Sequence, residues 1–180
     1  MAVKSSFMRF LESGQLVTTE GHIRLFGVEM VLFTAMSLAG MHYYANKEHP
    51  DTGTKAFCEA GRNHSRVLLK HFAGRYKLET MDRQTFMSLF APSANIGGFG
   101  VFELVEFKPK IPIIVTRFRE NDYAKVYLNL FGKQDKPVDD YYRGANEEGM
   151  SLMTSAKLIC TETKCLATGH PYCEFVLQKN

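Results

Sequence analysis

Three residues near one end of the chain have the types and spacing of a cation site: Glu162, Cys165 and Cys173. They sit in Cys160-Thr-Glu162-Thr-Lys-Cys165-Leu-Ala-Thr-Gly169-His170-Pro-Tyr-Cys173-Glu-Phe, where Cys165 and Cys173 end a loop between two extended runs. A hairpin brings such residues close. Two thiolates and a carboxylate converging on one ion suit borderline-soft Zn²⁺, whereas Mg²⁺ and Ca²⁺ call for oxygen alone. No Cys-x-x-Cys pair is present, so spacing alone leaves buried structural thiols as open a reading as a metal. Cys160 lies two residues before Glu162, and on a strand both point to one face. Cys160 lines a pocket, serves as a ligand, or is simply buried; Cys58 reads as a buried thiol on a helix. His170 in the loop is either a ligand or an exposed turn residue.

Other chemistry finds little support. There is no Gly-x-Ser-x-Gly, no His-Glu-x-x-His and no Gly-x-Gly-x-x-Gly opening a helix after a strand. Asn95-Ile-Gly97-Gly98-Phe-Gly100 lacks phosphate-loop spacing, no Gly-Lys-Ser/Thr follows it, and a strand rather than a helix comes next. Asp139-Asp140 and Glu147-Glu148 are helix neighbours that point apart, so they are not natural acid/base pairs. His64 and His71 lie seven residues apart on one helix, as axial ligands of a tetrapyrrole iron or as packing and surface residues.

The elements that position these residues read as follows. Leu16 to Phe26 is two extended runs around Glu20-Gly21, a hairpin. Val28 to Tyr44 has helical spacing, with Val31, Ala35, Leu38 and His42 on one face. His49-Pro50-Asp51 breaks the chain, and Gly53 to Ala73 is a second helix with Phe57, Gly61, His64, Leu68 and Phe72 as its buried stripe. A short helix follows from Thr80, with Phe86, Leu89 and Phe90 inward, stopped by Pro92. Val101 to Phe107 and Ile111 to Phe118 are paired strands, Pro112 marking an edge or the start of the second. Asn121 to Phe131 fits a helix or a strand end. Lys136-Pro137-Val138-Asp139-Asp140 starts a helix, with Tyr141, Tyr142, Ala145 and Gly149 on its buried face. Ala156 to Thr163 and Tyr172 to Leu177 are the strands flanking the cysteine loop.

That order is α+β, an antiparallel sheet packed against helices. At 180 residues, with no repeat and no linker-like stretch, the chain is read as a single domain over 1–180: N-terminal hairpin and helices at 1–94, sheet and cysteine hairpin at 95–180. Apolar residues make up 45% and charged residues 23%, which excludes long disorder. A net charge of +3 makes the whole surface no nucleic-acid binder. The start carries no secretory signal and the most apolar stretch, Met30 to Met41, is too short to span a membrane, so the expected location is cytoplasmic. Fourteen Phe, eight Tyr and nine Met suit a core and equally a pocket for an apolar ligand.

The cysteine hairpin resembles the vinyl-4-reductase (4VR) domain family. Glu162-Thr-Lys-Cys165, Gly169-His170 and Cys173-Glu-Phe-Val match that family's Glu-x-x-Cys, Gly-Asp/His and second Cys. Glu20-Gly-His-Ile-Arg-Leu-Phe-Gly-Val-Glu-Met-Val-Leu is similar to its opening hairpin and helix, and Phe57-Cys-Glu-Ala-Gly61-Arg to its second helix. The resemblance implies a homodimeric α+β domain that binds a small molecule and is distantly similar to TRAPP tethering subunits. It implies a zinc site of Glu162, Cys165 and Cys173, with Asp139 standing where the aromatic-sensing members have a fourth cysteine. The His and Trp that hold phenol in those members have no evident counterpart, so phenol itself is not expected. The ligand is expected between sheet and helices, against Phe102, Phe118, Tyr127, Tyr142 and Cys160. The reading is therefore a non-catalytic sensor or carrier of a hydrophobic or aromatic ligand, with a tetrapyrrole among the candidates and a partner protein receiving the signal or cargo. An enzyme or accessory factor in tetrapyrrole reduction, and a structural interaction module, are the alternatives.

Overall fold

The protein is described by a computed structural model covering residues 11–75, 82, 85, 87, 91, 94, 95, 100–108 and 113–179, with Asp51 and residues 72–75 by backbone alone. Two antiparallel sheets and four helices make up these residues, an α+β fold as expected. The short helix expected from Thr80, including Phe86, Leu89 and Phe90, falls largely outside them, as does Pro112.

The N-terminal sheet is a three-stranded meander of β1 (Leu16–Thr19), β2 (His22–Leu25) and β3 (Val28–Met30). Glu20-Gly21 turns β1 into β2, with Gly21 at φ 74°. A second two-residue turn, Phe26-Gly27, has both residues at positive φ (54° and 86°), which matches the right-handed twist of the strands it joins. Val28 to Met30 is thus a strand and not the first turn of a helix. Helix α1 (Ala35–Glu48) begins seven residues later, capped by the Thr34 hydroxyl, which accepts from the Ser37 N–H at 3.0 Å. Val31 lies outside the helix and is exposed, whereas His42 is fully buried on it.

Pro50 opens α2 (Pro50–Arg75), three residues before the expected start and at a position where its missing N–H is harmless. Its buried residues are Gly53, Cys58, Gly61, Ser65, Leu68 and Leu69; His64 and His71 are exposed, which corrects the expected stripe at His64. A helix turns about 100° per residue, so the Cys58–Gly61–Ser65–Leu68 set is the face that meets the next layer.

That layer is α4 (Asp140–Thr154), and the two helices touch through their backbones. A Cβ added at Gly144 would stand 1.9 Å from the Cys58 carbonyl oxygen, and one at Gly61 1.9 Å from that of Tyr141. Ser65 Oγ donates to the Ala145 carbonyl at 2.8 Å, and Arg62 and Arg66 pair with Glu147 and Glu148 at the rim.

The main sheet runs β4 (Phe102–Lys108), β5 (Ile113–Phe118), β7 (Cys173–Lys179), β6 (Leu158–Lys164) in space, all antiparallel. Alternation sends Ile114, Thr116 and Phe118 of β5, and Cys173, Phe175 and Leu177 of β7, into the interior. Helix α3 (Asp122–Phe131) resolves the ambiguous 121–131 segment: Asn121 caps it through a bond from the Ala124 N–H at 2.9 Å, and Gly132 ends it. Helix α4 starts at Asp140, three residues after the expected first-turn proline, because Pro137 and Val138 still belong to the incoming loop. No described helix is long and apolar enough to cross a membrane.

Candidate metal centre

Glu162 lies on the inward face of β6, together with Leu158 and Cys160. A three-residue step to Cys165 puts the two residues on opposite faces of a regular strand. A bulge between Glu162 and Lys164 removes that conflict. Past it, Lys164 pairs with Glu174 on the outer face, where its ammonium meets the Glu174 carboxylate at 2.9 Å, and Cys165 turns inward, fully buried. A short 3-10 turn (Leu166–Thr168) and Gly169 at φ 95° then close the loop, the Cys165 carbonyl accepting from the N–H groups of Thr168 and His170. β7 returns with Cys173 inward, and its Sγ lies 4.0 Å from Cys165 Sγ.

The fourth member comes from the loop ahead of α4. Asp139 is fully buried, and its side chain does not cap the helix that follows it. Its N–H donates to Glu162 Oε2 at 3.0 Å, its Oδ2 sits 3.8 Å from Cys165 Sγ, and Asn121 Nδ2 donates to its Oδ1 at 3.0 Å. One ligand atom from each of Asp139, Glu162, Cys165 and Cys173 lies within 4.8 Å of the others. The structure therefore brings all four expected metal residues together, whereas His170 is exposed in the loop and outside the group.

Such a cluster is unfavourable without a cation. Burial pushes both carboxyls up, Glu162 well above its ordinary range and with Asp139 beside it adding to the rise. The hydrogen bond to Cys165, with burial, raises the Cys173 thiol, and the same bond lowers Cys165. Glu162 Oε1 is buried with no hydrogen-bond partner. The Leu166 N–H is directed at Cys173 Sγ from 3.3 Å, an arrangement that favours a thiolate. Two sulfurs, two carboxylates and an orphaned oxygen fit a four-coordinate Zn²⁺.

Next to this group lies a polar cluster that the spacing of sequence motifs does not single out. His42 Nδ1 pairs with the Tyr123 hydroxyl, and its Nε2 faces Asp140 Oδ2 at 3.1 Å and Asn46 Nδ2 at 2.9 Å. Burial holds Tyr123 protonated, so its O–H donates to Nδ1 and leaves Nε2–H for Asp140, which Arg143 also binds at 2.7 Å. The ring stacks on Phe57 with centroids 4.3 Å apart. The sequence does carry one signal for it, a histidine on the buried face of α1.

The five expected ligand residues are all buried but do not form one group. Phe102, Phe118 and Tyr142 are contiguous: ring centroids are 5.4 Å apart for Phe102 and Phe118 and 4.4 Å for Phe118 and Tyr142. Tyr127 belongs to a second aromatic group with Tyr43, Phe131 and His42. Cys160 is inward on β6, its N–H donating to Glu147 Oε2 at 2.9 Å. An open groove of about 630 Å³ lies elsewhere, lined by Arg62, Glu147, Glu148, Ser151, Lys157 and Leu158 among others.

The family model of the vinyl-4-reductase (4VR) domain matches residues 123–179. The matched segment runs from Tyr123 through α4 and both strands of the cysteine hairpin, so it contains all four members of the metal cluster. The resemblance read from that hairpin is thereby borne out. Among solved structures, the phenol-responsive sensory domain of the transcription activator PoxR, bound to phenol, shares the fold with a TM-score of 0.80. The alignment covers 98% of this chain and 92% of that one at 15% identity, so the 4VR segment and the elements before it form one shared architecture. A trafficking protein particle complex subunit 3 from Naegleria fowleri, covalently bound to palmitic acid, matches with a TM-score of 0.51 at 13% identity, over 81% of this chain and 95% of its own. A vinyl-4-reductase family protein from Methanocaldococcus jannaschii matches at 0.49 and 15% identity, over 84% and 99%. No curated protein sequence matches this chain closely enough to count as a relative.

Proposed function

We propose that this chain is one small-molecule-binding domain, a sensor or carrier for an apolar or aromatic ligand, with a zinc-locked C-terminal hairpin. The observation that carries the reading is the fold shared along 98% of the chain with a sensory domain that binds phenol, joined to the 4VR match. The ligand sits between the main sheet and α4, against Phe102, Phe118 and Tyr142, with Cys160 at the edge and Tyr127 reached through α3. Pockets of this kind are mostly apolar with a few fixed polar groups.

Asp139, Glu162, Cys165 and Cys173 would hold the Zn²⁺. Its chemistry there is structural: a divalent charge that keeps two thiolates and two carboxylates ionised inside the protein. The residues themselves do the positioning. Asp139 fixes the start of α4, which carries Tyr142, and Cys173 fixes the start of β7, which carries Phe175, so the cation joins the two layers that face the ligand. The expected working form is a cytoplasmic homodimer that hands its signal or cargo to a partner protein. The exposed run Val31, Leu32, Phe33 and Met36 supports a second copy as the cover for that face. A tetrapyrrole stands as the finer ligand assignment.

Native mass spectrometry of the purified protein tests this in one spectrum. A dimer carrying one zinc per chain and a co-purified apolar molecule is expected, with visible absorbance if that molecule is a tetrapyrrole. A metal-free protein that takes up no hydrophobic probe would overturn the reading.

A further inference from the structure

Two polar side chains share the inward faces that carry Phe118 and Tyr142, and both are shut away from water with an atom left without a hydrogen-bond partner. Thr116 lies two residues before Phe118 on β5, on the same inward face, and is fully buried. Asn146 lies one helical turn after Tyr142 on α4, 2% exposed, and the Phe118 and Tyr142 rings are 4.4 Å apart. Thr116 Oγ1 and Asn146 Nδ2 are the two partnerless atoms. Buried polar atoms are nearly always satisfied, and an unsatisfied one in a native core calls for a missing partner. Arg117 Nε is also partnerless, but its guanidinium is engaged outside by Glu174 and the Tyr172 ring. Glu162 Oε1 belongs to the metal cluster.

We infer that Thr116 and Asn146 are the polar anchors of the bound ligand, and that the ligand is a neutral ring compound carrying an oxygen acceptor such as a carbonyl. An amide nitrogen has only N–H to give, so the atom it meets must accept. The Thr116 hydroxyl donates or accepts and completes a two-point grip on that oxygen or its neighbour. The faces around them are Ile114, Phe118, Tyr142 and Phe175, which suit a ring and offer no counter-charge for an ionised group. The assignment rests on the ligand-binding reading above and names its ligand class.

Two arms test it. In ligand-free protein, Thr116→Val removes a hydroxyl that has no partner while keeping the shape, so the melting temperature should rise by about 2–4 °C. A fall of that size would show that the hydroxyl is already satisfied and overturn the assignment at Thr116. The second arm measures binding of acetophenone and of ethylbenzene, which differ in a carbonyl against a methylene. Wild type should bind acetophenone at least about tenfold more tightly. Asn146→Leu should erase that preference while ethylbenzene binding persists. If Asn146→Leu does not fold, Thr116→Val carries the arm, with a severalfold loss of preference expected. Equal binding of both probes by wild type overturns the anchors and leaves the ligand-binding reading standing. Binding of neither overturns that reading and this one with it.

Discussion

The main-chain N–H of Asp139 donates to Glu162 Oε2 across 3.0 Å, so one metal candidate holds another in place before any ion arrives. A glutamine at 162 retains an amide oxygen to accept that bond but lacks the charge. Glu162→Gln should therefore leave the fold intact while lowering zinc affinity by about 10–100-fold, the usual scale for a damaged metal shell. Cys165→Ser with Cys173→Ser should abolish stoichiometric zinc. Elemental analysis of the three proteins checks both statements, and wild type purified without zinc contradicts them.

Stripping the metal should reverse the pH dependence. In the metal-free fold, burial raises the carboxyls of Asp139 and Glu162, so the folded chain holds more protons than the unfolded one. That stability is fully present below the ordinary carboxyl value of about 4 and is lost as pH rises through the raised folded values. With zinc the same protons are displaced, so affinity strengthens as pH rises. Denaturation of stripped and loaded protein between about pH 5 and 8 should give curves of opposite slope.

His42→Phe should preserve the stacking on Phe57 but leave the Tyr123 hydroxyl and the Asn46 amide without their partner. Asp140 keeps Arg143, which limits the damage. A loss of about 2–4 kcal/mol in denaturant unfolding is expected. Zinc content should not change, since His42 is no ligand.

Gly144→Ala should be far more harmful than a typical glycine replacement in a helix, which ordinarily gains stability. Its new methyl would stand 1.9 Å from the Cys58 carbonyl oxygen, a backbone atom that cannot rotate away. Separating α2 from α4 costs about 3 kcal/mol or more, and the readout is the melting temperature against that of Gly40→Ala, where nothing lies within 4 Å.

How much of the molecule is legible in its sequence varies with the kind of signal involved. Glu162, Cys165 and Cys173 can be grouped because a hairpin brings loop ends together, and Asp139 because the family resemblance points to that position. Their shared face cannot be read, since it depends on a bulge that no residue type at Thr163 announces. The spacing of β3 reads as helix for a related reason. The turn before it uses Phe26 at φ 54°, a residue that gives no turn signal, and its φ is stabilised by burial and a bond from its N–H to the Gln15 carbonyl at 2.7 Å. The orphaned atoms of Thr116 and Asn146 are properties of packing and leave no trace in spacing.

The spatial order β4-β5-β7-β6 also governs when the sheet can assemble. β7 is the strand that both β5 and β6 pair with, yet it is the last to be synthesised, so on the ribosome the β4–β5 hairpin and β6 wait as separate pieces with unpaired edges. Residues 173–179 act as a late-arriving seam, and Cys173 at its leading end reaches the other three metal candidates only in that final step. A nascent chain cut short of that seam should be prone to aggregation and unable to hold metal.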